Sequence, residues 1–141
     1  MREIHHPDGR ITGSYGGIYF TVATLSRLLP PGDAVRPVFG VGKEDHQEFL
    51  EALGTLPNVD TSGIYKMQTP TNRVSLHYHS GSERIEVSRD ISDPVPWKKI
   101  QPALDTDLAL VNMISGYDVT LETLDEIRMK TRDRNIPVFF D

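Results

Sequence analysis

The sequence predicts an α/β protein, on three observations. Amphipathic helical stretches alternate with short apolar stretches rich in Val, Ile and Phe. One long segment, from Thr71 to Ser88, departs from this by alternating apolar and polar residues with a period of two. Proline and glycine punctuate nearly every junction. Alternating helices and buried strands imply crossover helices over an open sheet. The amphipathic segment should be a hairpin that stands outside that pattern as a flap or cover.

The elements follow in chain order. Pro7, Asp8 and Gly9 suit a tight turn, followed by a short strand around Arg10 to Thr12. His5 and His6 have no periodic context and read as loop residues. After Gly17, Ile18, Val22, Leu25 and Leu29 fall at helical spacing. Pro30 and Pro31 stop that helix, because a proline ring excludes helical geometry from the residue before it. "AVRPVFGVG" reads as a strand, with Pro37 near its start or at an edge. "EDHQEFLEALGTLP" reads as a helix capped by Asp45, with Phe49, Leu50 and Leu53 buried, ended by Gly54 and Pro57. "VDTSGIYKM" is a loop leading into a short strand.

In the hairpin, Val74, Leu76 and Tyr78 share one face, while Arg73, Ser75, His77 and His79 share the other. "SGS" turns the chain, and Ile85 and Val87 lie together on the return strand. Pro96 opens a short helix. "DLALVNMI" has the continuous apolar character of a strand buried on both faces. Val119, Leu121, Leu124, Ile127 and Met129 form the inner side of a further helix. "IPVFFD" reads as another buried strand. Open sheets bind ligands beyond the carboxyl ends of their strands, which marks Asn112, Ser115 and Asp141. Asn112 and Ser115 read almost equally well as loop hydrogen-bonding residues.

Composition narrows the function. The 141 residues suit one domain or part of a larger one. At 38% apolar and 25% charged, the composition is that of an ordinary globular protein. A net charge of -5, with basic residues scattered and not interleaved with aromatics, argues against a nucleic-acid or membrane surface. No cysteine is present, so disulfides, thiolate metal sites and a cysteine nucleophile are excluded. No apolar run spans a bilayer, and "MREIHHPDGR" has no secretory core, so a cytoplasmic protein is the default expectation.

The candidate chemistry centres on "SYGGIYFT". A phosphate loop needs a Lys and Ser/Thr at set spacing, or a third glycine, and this stretch has neither. Gly16 and Gly17 read equally as a turn before a helix or as backbone exposed to a ligand. "FGVGKEDHQEF" places a glycine pair and an acidic cluster at a second helix start. Glu44 and Asp45 read first as helix-capping residues. His77 and His79 sit two apart on a strand, and no third metal ligand is evident.

Taken in order, these motifs resemble the N-terminal half of the ribokinase-like, or PfkB, sugar and nucleoside kinases. "YGGIYFTVATLSRLL" resembles the family's Gly-Gly before a helix, and "VFGVGKEDHQEFLEAL" its Gly, small residue, Gly and Asp before the next. "NVDTSGIYKMQTPTNRVSLHYHSGSERIEV" follows the family order of a Val-Asp-Thr segment, a Thr and a hairpin. "DLALVNMISGYD" and "IPVFFD" fit the strands that follow. The resemblance implies a partial three-layer sandwich over residues 1–141, with a projecting lid hairpin at about 71–88 and the C-terminal ATP-binding half absent.

It implies substrate contacts at Gly16, Gly17, Thr21, Glu44, Thr71, Arg73, Asn112 and Ser115, more weakly at Asp141, and no catalytic residue in this chain. The expected parent is an ATP-dependent kinase of a sugar or nucleoside hydroxyl that uses ATP and Mg2+. This chain alone is expected to be inactive and to need neither. A homodimer through the lid hairpin is a further expectation. Thr21 stands where the family carries Asn, and Glu44 where it carries Asp. The family's first strand, with its substrate-binding Asp, would fall near Arg2, so the chain reads as entered midway through that motif. The family's Gly-Ala-Gly-Asp motif, with its catalytic base, belongs to the half beyond Asp141. A competing reading is a non-catalytic binding or regulatory relative. A third is an unrelated α/β subunit that completes its sheet by dimerising.

Overall fold

The structure, a computed structural model, describes residues 2–80 and 83–141. Among the described residues, eight strands and four α-helices follow one another along the chain. They are β1 (Arg2–His5), β2 (Ile11–Ser14), α1 (Gly17–Leu28), β3 (Phe39–Gly42), α2 (His46–Gly54), β4 (Ile64–Met67), β5 (Arg73–Ser80), β6 (Glu83–Arg89), α3 (Trp97–Ile100), β7 (Ala109–Val111), α4 (Leu121–Arg132) and β8 (Val138–Phe140). The mixed α/β class expected from the alternation is the class found.

The strands do not join one hydrogen-bonded sheet. β3 pairs with β4 and β7 with β8, each in parallel, while four strands form a separate sheet in the order β2-β1-β5-β6. The hairpin β5–β6 is therefore not solitary. β5 lies parallel to β1, which pairs antiparallel with β2. Reading the start of the chain as poor in strands missed β1, and His5 is a strand residue. The reason is that "REIH" lacks a period-two pattern; its pairing depends on β5, about seventy residues away in sequence. The turn expected at "SGS" involves Gly81 and Ser82, which lie outside the described residues.

Two cores hold the helices to the parallel strand pairs. Val22, Val41, Phe49, Leu53 and Ile64 form the first, between α1, β3, α2 and β4. Ile100, Leu104, Val111 and Ile127 form the second, with Val38 packed against it from just before β3. The inner face of α1 is Val22, Ala23 and Ser26, with Ile18 packed at its margin. Two prolines follow the helix as expected, and Asn58 completes its end. The Asn58 side-chain amide donates to the carbonyls of Ser26 and Leu29, both at 3.2 Å. Asn58 itself sits at φ 56°, a left-handed conformation that Asn tolerates better than most residues.

Three burial expectations need correction. On α4 the buried residues are Thr123, Ile127 and Thr131, while Leu121 and Met129 are 78% and 59% exposed. The helix begins at Leu121, and its buried stripe runs through 123, 127 and 131 at a spacing of four. Phe139 and Phe140 of β8 are 56% and 65% exposed, so this strand is not buried. β7 pairs it on one side, and among the described residues no strand pairs it on the other. Finally, the polar face of β5, whose alternation reads as a wet or ligand-facing side, carries Ser75, which is 2% exposed, while β6 is exposed throughout.

Candidate functional site

The N-terminus of α1 and the segments after β7 and β8 meet at one place. Gly16 precedes the helix with extended backbone, and its carbonyl accepts from the Tyr19 amide at 3.1 Å. Gly17 opens the helix. A Cβ there would stand 3.1 Å from Ile114 Cδ1, tighter than most such contacts. One turn on, Thr21 Oγ1 accepts from Asn112 Nδ2 at 3.3 Å, and the same amide donates to Asp141 Oδ2 at 3.0 Å. The strand ends are tied together as well: the Asp141 amide donates to the Val111 carbonyl, and the Met113 amide to the Asp141 carbonyl, both at 3.0 Å. Three residues from distant parts of the sequence thus share one amide at the carboxyl ends of parallel strands.

A second group forms where β3 turns into α2. The Gly42 amide donates to Thr71 Oγ1 at 3.0 Å, and Thr71 is 5% exposed. A Cβ on Gly42 would meet the Thr71 amide nitrogen at 2.6 Å and Glu44 Oε1 at 2.7 Å, so only glycine fits there. Asp45 does not cap α2 with its side chain. Its carboxylate instead accepts from Arg73 Nη2, at 3.3 and 3.1 Å to its two oxygens. Asp45 has helical backbone geometry, φ -99° and ψ -10°, and not the extended geometry of a capping residue, so its carboxylate is left to pair with Arg73 from the hairpin. Glu44, Thr71 and Arg73 therefore occupy one neighbourhood.

Ser115 is different. Its hydroxyl and amide both donate to Asp118 Oδ2, at 3.0 and 2.7 Å, and its Oγ accepts from the Tyr117 amide. These bonds close a local turn. The His77 ring stacks on His5 at 4.1 Å between ring centroids. Among the described residues no three His, Asp or Glu side chains come together as a metal-binding group.

A cleft of about 270 Å³ opens beside the second group, lined by Arg2, Glu3, Gly13, Ser14, Tyr15, Glu48 and Arg73. The Tyr15 hydroxyl donates to Glu48 Oε1 at 3.0 Å. Burial, and then the neighbouring Glu48, push the Tyr15 phenol above its ordinary pKa. The Tyr15 ring is fixed by Tyr19, stacked at 4.5 Å, and by the edge of Phe49 at 5.2 Å. Arg2 Nε donates to Ser14 Oγ at 2.6 Å, and its guanidinium carbon lies 4.9 Å over the Phe20 ring. Of the candidates expected from sequence, only Arg73 lines this cleft. Ser14 and Tyr15 could have been found, since they adjoin the Gly-Gly pair. Arg2 and Glu3 could not, because β1 carries no pattern that marks it as a strand.

No protein-family model and no curated protein sequence matches the chain. Solved structures do. A sugar kinase from Pyrococcus horikoshii, described as uncharacterised and also solved with ATP, superposes with a TM-score of 0.76 at 21% identity, covering 99% of this chain and 51% of its own. A protein assigned as a ribokinase II from Escherichia coli, solved with ATP and Mg2+, gives 0.72 at 14%, covering 99% and 49%. A nucleoside kinase from Burkholderia thailandensis, solved with inosine, gives 0.65 at 16%, covering 99% and 49%. The chain spans about half the length of the structures it matches. Its fold is that of the N-terminal half of ribokinase-like kinases. Among the described residues no helix is long and apolar enough to cross a membrane.

Proposed function

We propose that this chain is the acceptor-binding portion of an ATP-dependent kinase that phosphorylates a hydroxyl of a sugar or nucleoside. The observation that carries the reading is the convergence of Gly17, Thr21 and Asn112 where parallel strands end, within a fold whose matches are sugar and nucleoside kinases. Gly16 and Gly17 would offer backbone groups to substrate hydroxyls. Thr21 and Asn112 would supply a hydroxyl and an amide, with Asp141 orienting the amide. Glu44, Thr71 and Arg73 would bound the acceptor from the β3–α2 turn and the base of the hairpin, whose strands act as the lid. Ser115 would shape the loop after β7.

Phosphoryl transfer depends on positioning and on stabilising transferred charge, and it needs a donor site as well as an acceptor site. The reading assigns ATP and Mg2+ to the longer parent protein and no metal-dependent step to this chain. In a coupled assay with Mg-ATP and a panel of sugars and nucleosides, the 141-residue chain should show no turnover, while the chain joined to a C-terminal ATP-binding half should. Turnover by the chain alone would overturn the division of labour. No turnover by the joined protein would overturn the kinase reading. The lid would also serve as a dimer contact, since β6 is an outer strand exposing Ile85 and Val87.

A further inference from the structure

We infer that the seam between β1 and β5 is an acid-sensitive latch: charging both His5 and His77 frees the β1–β2 arm from the hairpin and takes the cleft apart. The four-stranded sheet is made of two hairpins distant in sequence. β1 and β2 form one, β5 and β6 the other, and the pairing of β1 with β5 joins them. His5 and His77 are direct partners at that join. Their rings stack at 4.1 Å between centroids, with 23° between their planes. The same row of the sheet continues to Ile11 on β2 and to Ile85 on β6. Stacked neutral rings attract, whereas two imidazolium charges at this separation repel. Histidine is the side chain that gains its charge on mild acidification.

The surroundings suit one positive charge better than two. His5 Nε2 is buried and makes no hydrogen bond among the described residues, and Glu3 Oε2 lies 3.7 Å from it. A proton on that nitrogen would face a carboxylate. Opposite His77, β6 offers Ile85, which supplies no counter-charge. The neighbouring row holds Gly13 of β2, Glu3 of β1, Ser75 of β5 and Val87 of β6. Arg73 and Arg89 are paired at the far end of the hairpin and carry the same sign as a charged imidazole. From α2, Asp45 is bound to Arg73, and Glu48 to the Tyr15 hydroxyl. His79 is exposed two residues beyond His77, and His6 Nε2 lies 3.0 Å from Thr12 Oγ1. The second charge therefore meets the first across the seam with Glu3 already engaged. Both sides of the seam line the cleft: Arg2, Glu3, Gly13 and Ser14 come from the arm, and Arg73 from the hairpin. Opening the seam separates these two sets.

The test is amide hydrogen exchange on the full chain, corrected for the intrinsic effect of pH. Between about pH 7.5 and about pH 5, the β1 amides should lose about tenfold in protection, because local opening is read directly in exchange. Over the same range Leu53, in the first core, should keep its protection. His77→Phe retains a ring against His5 and cannot take a proton, so its β1 protection should not fall with acid. His5→Phe should behave alike, and it replaces the first variant if that one fails to fold. Equal β1 protection at both pH values in the wild type would overturn the latch. So would the same acid loss in the folded Phe variant, which would place the sensitivity on another group. A parallel loss at Leu53 would overturn it too, since the whole chain would then be loosening and not the seam.

Discussion

At the scale of single residues, two positions show how tertiary contacts redirect local chemistry. Asp60 caps a 3-10 turn by accepting from the Ser62 amide at 2.9 Å, and it also accepts from Arg36 Nε at 2.6 Å. The Ser62 bonds, followed by Arg36, lower its pKa from 3.8 to about 2. A depressed carboxylate pKa stabilises the fold above the unfolded pKa and loses that effect as pH falls through the folded one. Asp60→Asn should therefore lower the denaturation midpoint at neutral pH by the equivalent of about 1 kcal/mol, allowing for solvent screening of a partly exposed pair. The difference from wild type should fade as pH drops from about 4 to about 2, in urea titrations across that range. Gly42 makes the second case. Gly42→Ala would drive a methyl into the Thr71 amide nitrogen and Glu44, at 2.6 and 2.7 Å, and break apart the second residue group. A loss of about 2 kcal/mol is expected from thermal denaturation, as for other overpacked sites.

At the scale of elements, helix α4 and helix α2 separate pattern from burial. Leu53 of α2 is 0% exposed in the first core, whereas Leu121 of α4 is 78% exposed. Leu53→Ala should cost about 3 kcal/mol, while Leu121→Ala should change stability by less than about 0.5 kcal/mol. Equal effects in chemical denaturation would contradict the assigned faces. The stripe on α2 was legible in the sequence because Phe49 and Leu53 sit four apart between clear helix stops. The stripe on α4 was not, because two of its three buried members are threonines. Thr131 satisfies its hydroxyl on the Ile127 carbonyl at 2.7 Å and is thereby able to be buried. Hydropathy does not detect a polar residue that bonds its own helix.

At the scale of the whole molecule, two strands with exposed apolar side chains bear on association. β6 presents Ile85 at 56% exposure, and β8 presents Phe139 and Phe140 at 56% and 65%. On the proposed reading the first is a contact between lids and the second faces the remainder of a longer protein. Ile85→Lys should then shift the chain toward monomer in light scattering, and Phe140→Lys should leave the lid contact unchanged. The reverse pattern would place association on β8, whose open edge is itself able to pair strands. The candidate residues followed the same division. Thr21, Asn112 and Asp141 were marked singly by motif or by strand-end position, and folding joined them through one amide. Arg2 and Glu3 were passed over because no local pattern marks them, and Glu48 because it stands in an acidic helix start that reads as capping chemistry.

Legible in the residues alone were the helices, the strands other than β1, the helix stops at Pro30 and Gly54, the hairpin, and the glycine pair at the start of α1. These are local: propensity, periodicity and backbone freedom act over a few residues. Packing alone set β1 beside β5, paired Asp45 with Arg73 in place of a helix cap, and brought Glu3 and Glu48 to the lining of one cleft. Each of these joins residues far apart in the chain, where the outcome depends on competing partners brought together by packing.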